Sequence, residues 1–133
     1  MTDLKPLSTC LPPDASEIQD RLNRVQRQLQ ADGVDALVSY NPDNIFYLTH
    51  FANMVHERPF ILVIPASCTP TFVMPLLEHP HILSRAVGEL HFAPYREFPA
   101  PAGQGWREAL ADVLQPYKHL AVEPDCPQFI VRS

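Results

Sequence analysis

The chain has 133 residues, with 46% hydrophobic and 19% charged side chains and a formal net charge of −5. This balance is typical of one folded domain and excludes a disordered chain, which would have fewer aliphatic residues and a larger net charge. The ten basic residues are scattered along the sequence. That distribution argues against nucleic-acid binding, because this function needs clustered Lys and Arg to neutralise phosphates.

The first strong pattern along the chain is helical. Residues 1–15 are polar and contain proline, and we expect a flexible arm there. Ser16 and Gln19 then form a capping-box pattern, and Gly33 supplies a left-handed stop. Between them, apolar residues recur at helical spacing: Ile18, Leu22, Val25 and Leu29. The pattern predicts an amphipathic helix from about Ser16 to Asp32.

A short apolar run, 34–40, follows this stop and is typical of a strand buried on both faces. Asn41 and Pro42 come next and favour the start of a helix. Asn accepts hydrogen bonds from the first free amides of a helix, and Pro fits the first helical position. We expect a helix of one to two turns, anchored by Ile45, Phe46 and Leu48.

The rest of the chain alternates short apolar runs with single prolines, of which the whole chain has 15. This punctuation indicates short elements with tight corners. Strands at 60–64 and 71–74 are close enough in sequence for an antiparallel hairpin. The remaining predicted elements are a helix at 76–87, a weak strand at 89–94, a helix at 106–115, a strand at 119–123 and a further element opening at 129–131. This order predicts a mixed sheet covered by helices.

No complete catalytic or metal-binding motif occurs in the sequence. It contains no Gly-x-Ser-x-Gly turn, no His-Glu-x-x-His helix and no glycine-rich phosphate loop. Two groups of potential metal ligands remain, Glu78-His79-Pro80-His81 and His50 with His56 and Glu57. We favour surface or loop histidines over a metal site, since a spacing of two places His79 and His81 on opposite sides of a helix.

One polar cluster, His56-Glu57-Arg58-Pro59, stands at the start of a buried strand. Pro59 fixes the backbone and disfavours a helix. An arginine at such a place can present its planar guanidinium group to a carboxylate. The alternative is that Arg58 pairs with Glu57 or another acid on the surface, and the residues alone favour this alternative.

The cysteines and the hydropathy pattern indicate in which cellular compartment the protein is found. Cys10, Cys68 and Cys126 are far apart and form no Cys-x-x-Cys pair, which favours reduced thiols. The first 13 residues lack a basic-then-apolar segment, and no apolar run approaches the about 20 residues that span a bilayer. We therefore expect a cytoplasmic protein with no secretory signal and no membrane contact.

Several segments, taken in order, resemble the creatinase/prolidase amino-terminal domain. They are the helix from Arg21 and Leu22 onward, Gly33–Val38, Asn41–Thr49, Glu57–Pro65, Phe72–Pro75 and Leu120–Glu123. From the first to the last they span most of the chain, and they are most similar to Xaa-Pro dipeptidases and aminopeptidase P relatives. One departure is His50, because family members usually carry glycine at this place. A left-handed turn there costs a non-glycine residue about 1–2 kcal/mol.

The resemblance implies an α/β domain over residues 16–133, with a six-stranded mixed β-sheet flanked by helices in a ribonuclease H-like arrangement. It also implies the non-catalytic amino-terminal domain of an Xaa-Pro metallopeptidase whose "pita-bread" catalytic domain is absent from this chain. In the family, that following domain holds two divalent metal ions, expected to be Mn, Zn or Co. We therefore expect no catalytic residue and no metal ligand here, and no activity from the 133 residues alone.

The resemblance implies partners and a role for one residue. The partners are the domain's own catalytic domain, a second subunit of a dimer and a proline-containing peptide substrate. In creatinase-like members, an arginine at the start of the second strand binds the substrate carboxylate across the subunit interface, and Arg58 is the aligned position. His56 and Glu57 are expected to line the same active-site wall because they are adjacent in sequence.

Two alternative functions remain open at this stage. The chain could be a stand-alone module that binds peptides or proteins. Some members of the resembled family are pseudo-enzymes that bind such partners. It could also be the amino-terminal domain of a creatinase-like amidinohydrolase. A reading frame that continues past Ser133 into metal-ligand sequence would favour the peptidase hypothesis over the stand-alone module.

Overall fold

The computed structural model describes residues 13–52, 59–96 and 105–124. In chain order the elements are α1 (Ala15–Ala31), β1 (Ala36–Ser39), α2 (Pro42–Thr49), β2 (Ile61–Pro65), β3 (Thr71–Pro75), a 3₁₀ turn (Leu76–Glu78), α3 (His79–Arg85), β4 (His91–Tyr95), α4 (Trp106–Leu114) and β5 (Leu120–Val122). Residues 1–12 of the predicted arm lie outside the described residues.

The strands form one mixed sheet in the order β4-β3-β2-β1-β5. β2 pairs antiparallel with β1 and β3, whereas the outer pairs β1–β5 and β3–β4 are parallel. The predicted mixed sheet with flanking helices is confirmed, as is the β2–β3 hairpin. The prediction of six strands is wrong for the part of the chain that is described, which has five. The last strand of the described residues ends at Val122. Residues 129–131, where the sequence predicts a further element, lie outside the described residues.

Two apolar clusters fill the spaces between the sheet and the helices. Helices α1, α2 and α3 cover one face, where the buried residues are Leu22, Leu29, Ile45, Leu48, Phe51, Phe60, Leu62, Ile64, Phe72, Met74 and Ile82. Helix α4 covers the other face, with Ala36, Val38, Ile61, Val63, Val73, Tyr95 and Leu110. All five residues of β2 are buried. Its uninterrupted apolar sequence follows from this burial, because it contributes side chains to both clusters.

Helix α1 begins at Ala15, one residue earlier than the sequence predicts, because Asp14 rather than Ser16 is its N-cap. The Asp14 carboxylate accepts hydrogen bonds from the Glu17 backbone N–H (2.9 Å) and the Ser16 hydroxyl (2.8 Å). These two bonds hold the pKa of Asp14 below its usual value. The left-handed stop predicted at Gly33 is confirmed by its φ of +71°.

The single helix predicted over 76–87 is divided into a 3₁₀ turn and the shorter helix α3. Pro80 lies in the first turn of α3, where its missing N–H costs nothing. The helix ends before Ala86, whose backbone is extended. The following strand, β4, starts at His91, two residues later than predicted.

Arg21 joins α1 to α2, so the basic side chains of α1 do not form a uniformly solvated face. Its guanidinium group lies 4.6 Å from the centre of the Tyr47 ring and donates a 2.9 Å hydrogen bond to the Tyr47 carbonyl oxygen. It also pairs with Glu17 at 2.6 Å. Tyr47 belongs to the last turn of α2, so Arg21 satisfies a carbonyl group that has no partner within the helix. Arg24 and Arg27 are exposed.

His50 is the C-cap of helix α2, and it adopts left-handed backbone angles of φ 62° and ψ 14°. Members of the family that the sequence resembles usually carry glycine at this place, and glycine is typical of such a left-handed turn. The His50 N–H donates to the Phe46 carbonyl oxygen at 2.7 Å, and the two rings lie 4.7 Å apart. Histidine therefore occupies a conformation that costs a residue with a Cβ atom about 1–2 kcal/mol.

Substitution of His50 tests this backbone cost. Changing His50 to Gly or to Ala removes the same ring contact, but only Gly also removes the Cβ atom that crowds the left-handed turn. We expect the free energy of unfolding of His50→Gly to exceed that of His50→Ala by about 1 kcal/mol, as measured by urea denaturation. Equal values for the two variants would show that no strain is stored at this position.

Candidate functional site

The predicted substrate-binding residues His56, Glu57 and Arg58 lie outside the described residues, so their side chains have no described position. The structure describes both flanks of their segment. Phe51 on one side and Phe60 on the other are buried, and their ring centres lie 6.1 Å apart. Both rings also contact Phe72 of β3, at 6.0 and 6.3 Å. The buried residues nearest to the two ends of the undescribed segment therefore lie at neighbouring points of the core.

Thr49 anchors the first flank. Its buried hydroxyl donates to the Ile45 carbonyl oxygen at 2.7 Å and accepts from the Phe51 N–H at 3.1 Å. The Thr49 carbonyl oxygen accepts a 2.7 Å hydrogen bond from the N–H of Val87, beyond the end of α3. These contacts fix the chain just after α2.

Tyr95 anchors the second flank. The Tyr95 hydroxyl donates a 2.8 Å hydrogen bond to the carbonyl oxygen of Pro59, and this contact is buried. The sequence gives no sign of it, since Tyr95 lies on β4 and the two residues are 36 positions apart. A cleft of about 270 Å³ lies beside Tyr95, between the end of β4 and α4, and Arg96 and Asp112 are among its lining residues.

A second polar centre lies where the parallel strands β1 and β5 end. Glu123 directly follows β5, is 7% exposed and accepts four hydrogen bonds. One carboxylate oxygen accepts from the backbone N–H groups of Tyr40 (2.8 Å) and Asn41 (2.7 Å). The other accepts from the Ser39 hydroxyl (2.5 Å) and the Asn44 side-chain amide (2.6 Å). We call this group of five residues the Glu123 junction.

The Glu123 junction connects the end of β5 with the segment between β1 and α2. The Asn41 side chain caps α2 by accepting from the N–H groups of Asp43 and Asn44. The backbone N–H of Asn41 donates to Glu123. Both carboxylate oxygens already accept two bonds each, which makes the junction structural.

Sequence reasoning assigned no role to Glu123. It correctly predicted Asn41 as the cap of α2 and placed Glu123 at the end of a strand. The useful signal is an acidic residue directly after a strand, combined with several donors after another strand. This signal becomes informative only when the two strands are known to be neighbours.

Asp35 holds the opposite end of β5. Its carboxylate accepts hydrogen bonds from the backbone N–H groups of Lys118 (2.8 Å) and His119 (3.0 Å), while its own N–H donates to the His119 carbonyl oxygen (2.8 Å). The bond from the His119 N–H, followed by that from Lys118, holds the pKa of Asp35 below its usual value. Two carboxylates therefore attach the three-residue strand β5 to β1 at both of its ends.

The histidine groups that the sequence singled out do not come together. His81 bonds to Glu78 at 2.9 Å, whereas the His79 ring packs 4.7 Å from Phe92 and its buried Nε2 atom has no hydrogen-bond partner in the described structure. Across residues 13–52, 59–96 and 105–124, no three His, Cys, Asp or Glu side chains form a group that could hold a metal ion. None of the helices described is both long and apolar enough to cross a membrane.

Exchange of Glu123 for Gln tests the junction. The variant keeps the side-chain shape but places an NH₂ group against hydrogen-bond donors. We expect it to lower the free energy of unfolding by about 2–3 kcal/mol, measured by chemical denaturation. The matched control is Glu89→Gln at an exposed position, which we expect to change the value by at most about 0.5 kcal/mol. Similar small losses in both variants would contradict the assigned role of Glu123.

The pH dependence of stability tests the contacts of Asp35. Because its pKa is lower in the folded chain than in the unfolded chain, its contribution to stability is present above the unfolded pKa, about 3.9. That contribution is lost as the pH falls through the folded pKa. We expect the free energy of unfolding of Asp35→Asn to be lower than that of wild type at neutral pH, and the difference between the two proteins to shrink as the pH falls. A difference in the free energy of unfolding that does not change with pH would show that it does not come from the ionised Asp35 carboxylate.

The sequence of the chain is similar to that of known proteins. Residues 21–131 match the family described as the Creatinase/Prolidase N-terminal domain. An uncharacterised peptidase of Staphylococcus epidermidis is 34% identical over 58 residues, which are 44% of this chain and 16% of that protein. The match thus spans about a sixth of the length of this curated relative.

Solved structures show the same fold. The N-terminal domain of an X-Pro dipeptidase from Streptococcus pyogenes has a TM-score of 0.66 at 19% identity, covering 85% of this chain and 83% of that one. Dipeptidase PepE from Mycobacterium ulcerans has a TM-score of 0.65 at 22% identity, covering 88% of this chain and 31% of that one. With the family match extending over most of its length, the chain belongs to the creatinase/prolidase N-terminal domain family.

Proposed function

We propose that this chain is the non-catalytic amino-terminal domain of a metal-dependent Xaa-Pro peptidase, and that it provides subunit contacts and one wall of the active site. The observation that carries the proposal is the family match over residues 21–131. The fold it shares with N-terminal domains of Xaa-Pro dipeptidases supports the same assignment. The working form is a cytoplasmic dimer in this proposal.

The proposal assigns the chemistry to residues other than those described. In this proposal, two divalent ions, Mn, Zn or Co, are bound by a catalytic domain. Within residues 13–52, 59–96 and 105–124, no group of three His, Cys, Asp or Glu side chains could hold a metal ion. The buried carboxylate of Glu123 is saturated by four donors and is nearly inaccessible. It supports the fold and takes no part in catalysis.

Arg58 is the proposed substrate contact, and His56 and Glu57 line the wall beside it. A guanidinium group pairs with a carboxylate through two parallel hydrogen bonds, which fixes both the charge and the orientation of the substrate. The anchored flanks support this role, because Thr49 and Tyr95 hold the chain on either side of the segment. A fixed attachment is what a substrate-positioning group needs.

The contact role is supported by the edge strand β5. Leu120 and Val122 are 42% and 44% exposed. The strand register places them beside Ala36 and Val38, on the face of the sheet that α4 covers. Half-exposed aliphatic residues on an edge strand form a surface that a second subunit would cover.

Activity measurements test the non-catalytic assignment. We expect the 133-residue chain to hydrolyse no Xaa-Pro dipeptide above a buffer control in the presence of Mn²⁺, Zn²⁺ or Co²⁺. The full-length gene product should hydrolyse the same dipeptides under these conditions. Metal-dependent hydrolysis by the 133-residue chain would contradict the assignment, and an inactive full-length product would contradict the peptidase proposal.

Substitution of Arg58 in the full-length protein tests its role. We expect Arg58→Ala to raise KM for dipeptides by about 10–100-fold with little change in kcat, because a charged contact to the substrate carboxylate is lost in the ground state and in the transition state alike. Arg85→Ala, at an exposed position on α3, is the matched control and should leave KM unchanged. An unchanged KM in Arg58→Ala would remove Arg58 from the site.

A further inference from the structure

A groove lies between α1, α3 and β4. Its larger part is a cavity of about 420 Å³ with mainly apolar walls, to which Ile82, Leu83, Ala86, Leu90 and Phe92 contribute. This volume falls within the range of about 300–1,000 Å³ that is typical of binding pockets. Leu83 is 61% exposed, so a large apolar side chain stands at the open side of the cavity.

A smaller, polar cavity of about 180 Å³ extends the groove to α1. Gln19 and Leu22 of α1 are among its lining residues, and it shares Thr69 and Glu89 with the larger cavity. Two cavities with common lining residues adjoin, so the groove runs from the second turn of α1 to the outer surface of α3. We call the two cavities together the α1–α3 groove.

The start of α1 directs the preceding chain toward this groove. Asp14 is the N-cap, so Pro13 and Ile18 occupy the two positions whose side chains commonly pack together across a helix start. Pro13 is partly buried and Ile18 is 4% exposed. Ile18 also borders the groove, because a Cβ atom on Gly88, one of the lining residues, would lie 2.9 Å from its Cγ2 atom. The chain therefore reaches α1 beside the wall of the groove.

The segment before α1 is long enough to enter the groove. Gln19 lines the groove and lies about 8 Å along the helix axis from Asp14, since each residue of a helix rises about 1.5 Å. Six extended residues span up to about 20 Å. Leu7, which stands six residues before Pro13, can therefore reach the groove from the start of α1.

The same segment offers apolar side chains to an apolar surface. Leu4 and Leu7 are separated by Lys5 and Pro6. Burial of a leucine side chain is favourable, and the ring of Pro6 reduces the backbone entropy that is lost when the segment binds. Considered alone, residues 1–15 predict a flexible arm, because they are polar and contain proline. The groove adds a surface that the leucines can contact.

We propose that residues 1–12 bind in the α1–α3 groove of the same chain, with Leu4 and Leu7 against the apolar walls of the larger cavity. The occupant of the groove is thus a segment of the chain itself, and it covers Leu83. The inference is independent of the peptidase proposal, because it rests on the start of α1 and on the groove alone.

Amide chemical shifts of the 133-residue chain test the inference. In the variant Leu4→Ser/Leu7→Ser, we expect the amide signals of Leu83 and Leu90 to shift, while those of β5 at the far edge of the sheet stay in place. The matched control is Ser8→Asn, which alters a polar residue of the same segment and should leave the groove signals unchanged. Unchanged groove signals in Leu4→Ser/Leu7→Ser would overturn the inference.

A second pair of variants tests the groove side of the contact. Leu83→Asn should move the amide signals of residues 4–8 toward the values of an unstructured peptide, whereas Leu77→Asn should not. Leu77 is the matched control because it is 73% exposed and does not line either cavity. Both substitutions lie at exposed positions, so we expect both variants to fold. Equal effects of the two substitutions on residues 4–8 would contradict the proposed binding site.

Spin labelling separates binding within one chain from exchange between two chains. In a Cys68→Ser/Cys126→Ser background, Cys10 is the single thiol that takes the label. We expect the amide signals of Gly88 and Leu90 to broaden when the spin label and the isotope are in the same chain. Mixing a spin-labelled chain with an isotope-labelled chain that carries no spin label should not broaden them. Broadening in the mixture would show that the groove binds the segment of a second copy, and no broadening in either sample would leave the groove without this occupant; both results would overturn the proposal.

Discussion

The carboxylate of Glu123 is the interaction on which this end of the sheet depends. It accepts bonds from donors that all lie within five residues of the end of β1, and the partners are 79 to 84 positions away in sequence. A buried carboxylate without partners would cost several kcal/mol, whereas one with four donors is compensated. The same contact thus sets the start of α2, the end of β5 and the parallel pairing of β1 with β5.

The two edges of the described sheet are protected in different ways. The edge strand β4 contains Pro94, which has no N–H to offer to an added strand. The other edge strand of the described residues, β5, has only three residues, and Asp35 and Glu123 bind the chain at its two ends. It contains no proline and exposes part of Leu120 and Val122. The open edge is therefore the apolar one, which agrees with a proposed role in subunit contacts.

The sequence predicts the local features well and the non-local ones poorly. The cap at Asn41 and the left-handed turn at Gly33 depend on neighbouring residues, and both are present. The start of α1 is misplaced by one residue, because Asp14 and Ser16 are both good caps and only the folded backbone selects between them. The role of Glu123 could not be predicted, since its partners are brought to it by strand pairing. For the candidate site, the sequence supplies the residue types at 56–58, while the contacts that hold their flanks come from distant elements.

The high proline content gives these observations a common physical basis. Pro65 and Pro75 are the last residues of β2 and β3, and they pair with Ala36 of β1 and Tyr95 of β4. Each proline removes a backbone donor, and a buried carbonyl group near it must find another. At Pro59 that donor is the Tyr95 hydroxyl, and the residue before this proline is Arg58. At the entry to β2, a side-chain hydrogen bond from β4 thus holds the buried carbonyl group of a proline in place of a backbone donor.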